Sequence, residues 1–282
     1  MDRPSDRSSP APLMAGRRGL VMGVANDHSI AWGIARKLAE HGAELAFTYQ
    51  GGALGKRVAP LAATVGSNIV LPCDVEDLPS VDAVFAALRE RWGGLDFLVH
   101  AIGFSDKREL KGRYADTSRE NFTRTMVVSC FSFTEVARRA ADLMGPGGSM
   151  VTLTFGGSTR VMPNYNVMGV AKAALEASVR YLASDFGPAG IRVNALSPGP
   201  VRTLAGAGVA DARAMYGFQR AHSPLRRSVT IDDIGGSALY FLSDLSAGVT
   251  GEVHHIDAGY NIISMPRPET IRDAEEHGVA AQ

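Results

Sequence analysis

Two side chains seven positions apart carry the most specific chemistry in this sequence. Tyr165 stands just before a helical pattern that begins near Asn166, and Lys172 falls inside it. Seven residues make two helical turns, so the ammonium returns to the tyrosine's side of the helix about 10 Å further along the axis. The pair can then face one cavity. A phenol with a pKa of about 10 is a usable acid or electrophile only if that pKa is lowered or its hydrogen bond is held in place, and a nearby ammonium does both. Spacing alone accommodates equally well an aromatic residue at a helix start and a solvated lysine, so the pair has to be weighed with its surroundings.

Those surroundings read as a nucleotide site. An apolar run at 20–22 leads directly into Gly23, Val24, Ala25, Asn26, Asp27, His28, Ser29, Ile30, and then a helical pattern. A glycine-permissive turn at a helix start offers unpaired amides and a positive helix end to a pyrophosphate. The regular G-x-G-x-x-G spacing is absent, and in isolation Gly23 could be a mere turn; its place after the first strand of a doubly wound sheet favours binding. The second apolar run ends at Gln50, where a dinucleotide fold normally keeps an acid for the adenine ribose. A neutral amide can bond ribose hydroxyls, and no arginine stands there to neutralise a 2′-phosphate, which favours NADH over NADPH despite Lys56 and Arg57 nearby. Asp74 and Val75 close the third run and suit the adenine amine and ring face, although a surface-turn aspartate is the plainer alternative. After the fourth run, Gly103 lets the backbone approach a cofactor and Ile102 can pack on a ring, while His100, at the strand end itself, reads as structural.

The elements that must position these residues alternate between short apolar runs and longer amphipathic stretches. Strands are predicted at 20–22, 44–48, 69–73, 97–100, 150–154, 192–195 and 253–256, with helices at 30–41, 54–65, 81–91, 121–144, 166–186 and 232–242. Thr230 and Asp233 have capping-box spacing, and Gly187, Pro188 and Gly190 stop the helix that ends at Phe186. The stretch 200–223 is rich in Gly and Ala with weak periodicity and is the candidate mobile segment. Residues 1–15 read as a disordered extension and 266–282 as a tail with little to bury, leaving one α/β domain over 16–265 with a seven-stranded parallel sheet. The chain has 282 residues, 45% apolar, with 29 basic residues against 29 acidic, which argues against a strongly basic nucleic-acid-binding surface. No apolar run approaches the roughly 20 residues of a membrane span. The only cysteines, Cys73 and Cys130, are far apart, so neither a disulfide framework nor a metal site is expected, and a cytoplasmic setting fits.

The segment Met162, Pro163, Asn164, Tyr165, Asn166, Val167, Met168, Gly169, Val170, Ala171, Lys172 resembles the signature of the NADH-dependent bacterial enoyl-acyl-carrier-protein reductases, a divergent branch of the short-chain dehydrogenase/reductase superfamily. The resemblance extends over about 16–265, including the Gly23 turn, the strand end at Gln50, the stretch 100–104 and the run RVNALSPGPVRT at 192–203. The ordinary branch of the superfamily keeps tyrosine and lysine four apart, so the interval of seven is specific to the enoyl reductase branch. The resemblance implies a single doubly wound Rossmann-type domain, usually a homotetramer, that serves fatty acid biosynthesis. It implies that Gly23, Ser29 and Ile30 hold the pyrophosphate of NAD, Gln50 the adenosine ribose, and Asp74 and Val75 the adenine. Ile102, Val201, Arg202, Thr203, Leu204 and Ala205 line the nicotinamide half, and Lys172 binds the nicotinamide ribose. Tyr165 bonds the thioester carbonyl of an enoyl chain carried on acyl carrier protein, with Ser105, Val209 and Met215 as further substrate contacts.

Two departures qualify the resemblance. The family usually has a second tyrosine ten residues before the first; this chain has Phe155, which cannot donate a hydrogen bond or relay a proton, as do the similar mycobacterial long-chain enoyl reductases. The basic residues that meet the acidic carrier protein beside the mobile segment are also sparse: Ala210 and Ala214 flank Arg213, with Arg220, Arg226 and Arg227 beyond. The alternatives are a carbonyl reductase of the same superfamily, for which Thr154 and Ser158 are only loose counterparts of its catalytic serine, and a catalytically silent dinucleotide-binding protein.

Overall fold

In the computed structural model, which describes residues 12–203 and 212–265, the seven apolar runs pair in parallel into one sheet. The strands are β1 (Arg18–Met22), β2 (Glu44–Tyr49), β3 (Ile69–Pro72), β4 (Leu95–His100), β5 (Met144–Leu153), β6 (Arg192–Pro198) and β7 (Val253–Ile256). Their order across the sheet is β3-β2-β1-β4-β5-β6-β7. Central strands of such a sheet are covered on both faces and therefore read as near-continuous apolar runs; Leu20, Val21, Met22, Phe97, Leu98 and Val99 are all fully buried.

Helices cover both faces. On one side lie α3 (Leu78–Trp92), the α4 (Arg119–Met126) and α5 (Ser132–Ala141) pair, and α6 (Asn166–Phe186), contributing Phe85, Leu88, Phe133, Val136, Leu175 and Val179 to one core. On the other lie α1 (Ile30–Glu40), α2 (Gly51–Thr64) and α8 (Ile231–Leu242), contributing Trp32, Ile34, Leu38, Val58, Ile234 and Phe241. The Thr230–Asp233 capping box that opens α8 is formed in both directions. Helices α1 and α8 cross with almost no space between them: a Cβ on Gly33 would lie 2.6 Å from Ile231, and one on Gly235 2.8 Å from the Gly33 carbonyl oxygen. No helix among the described residues is long and apolar enough to cross a membrane.

Three elements depart from expectation. The single helix predicted at 121–144 is divided by a π turn (Val127–Phe131) between α4 and α5, and it ends at Ala141 because Met144 already pairs with Leu95 as the start of β5. Strand β5 begins six residues earlier than predicted, since Gly145, Pro146, Gly147 and Gly148, where no element was predicted, form an irregular stretch before the regular ladder resumes at Ser149. Within 200–223, where weak periodicity suggested only a loop, residues Ala212–His222 form a helix, α7. Polar bonds help dock it: the Tyr216 hydroxyl donates to the Val201 carbonyl (3.1 Å) and Gln219 to that of Asp257 (3.3 Å).

Candidate active site

The chain leaves β1 in one direction towards β2 and β3 and in the other towards β4 through β7, so a crevice opens at the carboxyl ends of β1 and β4. A cavity of about 690 Å³ occupies it. Gly23, at the end of β1, has φ +101°, and a Cβ there would lie 2.1 Å from the Ala101 carbonyl oxygen. Only glycine lets the ends of β1 and β4 approach this closely.

The helix start that follows is open to a ligand. The Ser29 hydroxyl turns away from α1 and accepts from the amides of Ala25 (3.0 Å) and Asn26 (3.1 Å), fixing the loop rather than capping the helix. Among the described residues the amides of Ile30 and Ala31 have no partner, and both residues line the cavity. Two unpaired amides at the positive end of a helix, beside a glycine that clears the approach, form a cradle for a pyrophosphate. The residues present thus fit a dinucleotide.

At the ends of β2 and β3, Gln50 Nε2 donates to Asp74 Oδ2 (2.9 Å), so the two residues predicted for the adenosine half already lie together. Val75 is buried beside them, outside the main cavity. At the end of β4, Ile102 and Ser105 line the cavity, with Ser105 hydrogen-bonded to Asn121 (3.3 Å) and Thr125 (3.0 Å). The Gly103–Phe104 backbone is held by Ser129 Oγ, which accepts from the Phe104 amide and donates to its carbonyl, both at 2.9 Å; the π turn brings that serine into place. His100 is structural. Its Nε2 contacts Ser132 (3.0 Å), its Nδ1 contacts Thr152 (3.1 Å), and burial together with the Lys172 charge pushes its pKa down to about 3.

Tyr165 and Lys172 line the same cavity from α6. The Tyr165 ring packs edge-on against Phe155, centroids 5.0 Å apart at 63°, and Gly157 makes room for it, since a Cβ there would lie 2.5 Å from Tyr165 Cδ1. Among the described residues the phenol hydroxyl has no hydrogen-bond partner. Lys172 is buried and donates to the Leu153 carbonyl (2.8 Å). Burial lowers its pKa to about 8, partly offset by Cys130 and Glu176. The expectation that the ammonium would lower the pKa of the tyrosine is overturned: burial, reinforced by the Glu176 carboxylate, raises it above the usual phenol range. Tyr165 is therefore a neutral donor at every physiological pH.

Val201, Thr203 and Met215 also line the cavity, whereas Arg202 is exposed and lines a separate depression with His28 and Ile231. Leu204, Ala205 and Val209 lie outside the described residues. Sequence reasoning did not assign Met168, Tyr216 or Leu110 to the cavity wall. Met168, one turn beyond Tyr165, was accessible from helical spacing; the other two depend on how distant segments fold together. Thr154 donates to buried Glu176 (2.6 Å), which occupies the hydroxyl considered as a counterpart of a catalytic serine. Of the arginines near α7, Arg227 pairs with Asp233 of the α8 cap at 2.6 Å.

The family model described as "Enoyl-(Acyl carrier protein) reductase" matches residues 23–261. A Rhizobium meliloti protein named enoyl-[acyl-carrier-protein] reductase [NADH] 2 is 73% identical over 263 residues, covering 93% of this chain and 98% of its own. The crystal structure of FabI from Candidatus Liberibacter asiaticus superposes with a TM-score of 0.89 at 60% identity, covering 90% of this chain and 99% of that one. An enoyl-(acyl-carrier-protein) reductase from Anaplasma phagocytophilum, solved in complex with NAD, gives a TM-score of 0.87 at 53% identity over 91% of this chain and 96% of that one.

Proposed function

Because the chain belongs to the enoyl-(acyl-carrier-protein) reductase family, we propose how its own residues carry out the reaction of that family. The protein is an NADH-dependent enoyl-[acyl-carrier-protein] reductase of fatty acid biosynthesis. When bound, NADH would supply the hydride to the β-carbon of a trans-2-enoyl thioester, and a solvent or relayed proton completes the α-carbon.

Gly23, Ser29, Ile30 and the free amides of α1 seat the pyrophosphate, and Gln50, Asp74 and Val75 seat the adenosine half. Ile102, Val201, Thr203, Leu204 and Ala205 are the nicotinamide-side residues, Arg202 being turned to a separate depression, and Lys172 engages the nicotinamide ribose. Tyr165 donates its hydrogen bond to the thioester carbonyl oxygen, where negative charge develops as the double bond is reduced. A donor placed where charge appears accelerates the step rather than only binding substrate. Phe155 takes no part in proton transfer; its ring sets the angle of the tyrosine. Ser105 and Met215, which line the cavity, are assigned to the acyl chain, as is Val209, which lies outside the described residues. A tetramer in the cytoplasm, acting on chains borne by acyl carrier protein, completes the reading, with the domain spanning 16–265.

The observation that carries this assignment of roles is the cavity that joins the open helix start of α1 to the neutral, unengaged phenol of Tyr165. Following the loss of NADH absorbance with a crotonyl thioester and then with an acetoacetyl thioester tests it. Turnover of the first and not the second is expected. Turnover of the ketone alone would identify a carbonyl reductase, and NADH binding without turnover would leave a silent binding protein.

A further inference from the structure

Glu176 is a buried acid that neither the fold nor the roles assigned above explain. Only 7% of it is exposed, and it stands one helical turn after Lys172 on the same side of α6. Its Oε1 accepts a 2.6 Å hydrogen bond from Thr154 Oγ1, while Lys172 Nζ donates at 2.8 Å to the carbonyl of Leu153. Leu153, at the end of β5, and Thr154, just after it, thus bond an ammonium and a carboxylate that stand one helical turn apart, with Leu153, Thr154 and Lys172 all on the cavity wall. A carboxylate supported by one hydroxyl is an expensive group to bury. Its charge has to serve a neighbour, and the neighbour with most to lose is the lysine.

We propose that Glu176 is a positioning residue for the reduction: its carboxylate, fastened to the cavity wall by Thr154, keeps Lys172 charged and directed at the cofactor. The inference rests on the role given to Lys172 above. Burial alone pushes the ammonium towards neutrality, and Glu176 is the one carboxylate among the groups that oppose this. The other titratable groups that act on or around Lys172 supply no anion near neutral pH. His100 on β4 is neutral, Cys130 on the π turn is a thiol whose pKa burial raises, and Tyr165 is a neutral phenol. Without Glu176 the amine would lose its proton at a lower pH still.

The test compares the pH dependence of NADH affinity and of kcat/KM in the wild type, Glu176→Gln and Glu176→Asp. In Glu176→Gln the alkaline limb is expected to move down by roughly one pH unit or more, the effect of one charge a helical turn away in a protein interior. The loss should fall on KM for NADH above that limb rather than on kcat throughout, and Glu176→Asp should restore much of the shift. In a Lys172→Arg background, where the cation does not titrate, adding Glu176→Gln should move nothing. Thr154→Val, which takes the hydroxyl from the carboxylate, should shift the limb in the same direction and serves if Glu176→Gln does not fold. An unshifted limb in whichever variant folds overturns the proposal. Wild-type NADH affinity and turnover in Lys172→Ala would instead remove the role of the lysine itself.

Discussion

Tyr165→Phe isolates the hydroxyl from everything else the residue does. The ring keeps its edge contact with Phe155 and its place against Gly157, and the oxygen removed has no partner among the described residues. Folding stability should therefore change by no more than about 0.5 kcal/mol. Lys172 and the α1 amides are untouched, so NADH affinity should stay within about twofold. What disappears is one donor aimed at a developing oxyanion, a loss of about 10² to 10³ in kcat, or about 2.7–4 kcal/mol of transition-state stabilisation. The shape of the pH profile gives a second check. Because the pKa of the phenol is raised, it does not titrate where the enzyme works, and the alkaline limb belongs to Lys172, whose pKa lies at about 8. Tyr165→Phe should lower the whole profile without reshaping it. Steady-state NADH oxidation with a crotonyl thioester across pH, together with NADH titration by fluorescence, measures each quantity. A variant with kcat within threefold of wild type, or one whose alkaline limb vanishes with the hydroxyl, would refute the assignment.

Gly23→Ala forces a Cβ to within 2.1 Å of the Ala101 carbonyl oxygen at a φ of +101°; strain of about 1–3 kcal/mol before any clash should appear as a lower Tm and at least a tenfold weaker NADH Kd. Phe155→Tyr restores a second phenol beside Tyr165 and should raise turnover of short enoyl thioesters by well under the roughly 10² that a required donor commands; a fall in that rate would show that the bare ring is needed for packing. His100 folds with its pKa lowered to about 3, so the unfolded chain takes up a proton first as pH falls. Stability is then lost between about pH 6.5 and 3 at up to roughly 1.4 kcal/mol per unit, and urea titrations at several pH values should show a flatter dependence in His100→Gln.

The seven strands, the bounds of α6 and the capping box of α8 were legible because each is written in local chemistry: continuous apolar runs, a helix stopped by Gly187, Pro188 and Gly190, and a threonine three residues before an aspartate. The direction of the Tyr165 pKa was not legible. Spacing brings an ammonium to the same side of the helix, but the burial that outweighs it is set by Phe155, Gly157 and the cavity wall together. Helix α7 escaped because buried Gln219 and His222 replace part of the apolar stripe that would announce it. The π turn escaped because one extra residue in a helical pattern leaves the sequence texture unchanged while redirecting Ser129 to the Phe104 backbone. Glu176 drew no assignment from the sequence, because only tertiary structure puts it against Thr154.

The near-contact of α1 and α8 extends the reach of the cofactor site well beyond its lining. Because Gly33 and Gly235 leave no slack between the two backbones, the helix whose amino end is proposed to seat the pyrophosphate cannot tilt without dragging its neighbour. A substitution at Ile231 or Gly235, neither of which lines the main cavity, would therefore register first as weakened nucleotide affinity, and a survey confined to residues that line the cavity would miss it.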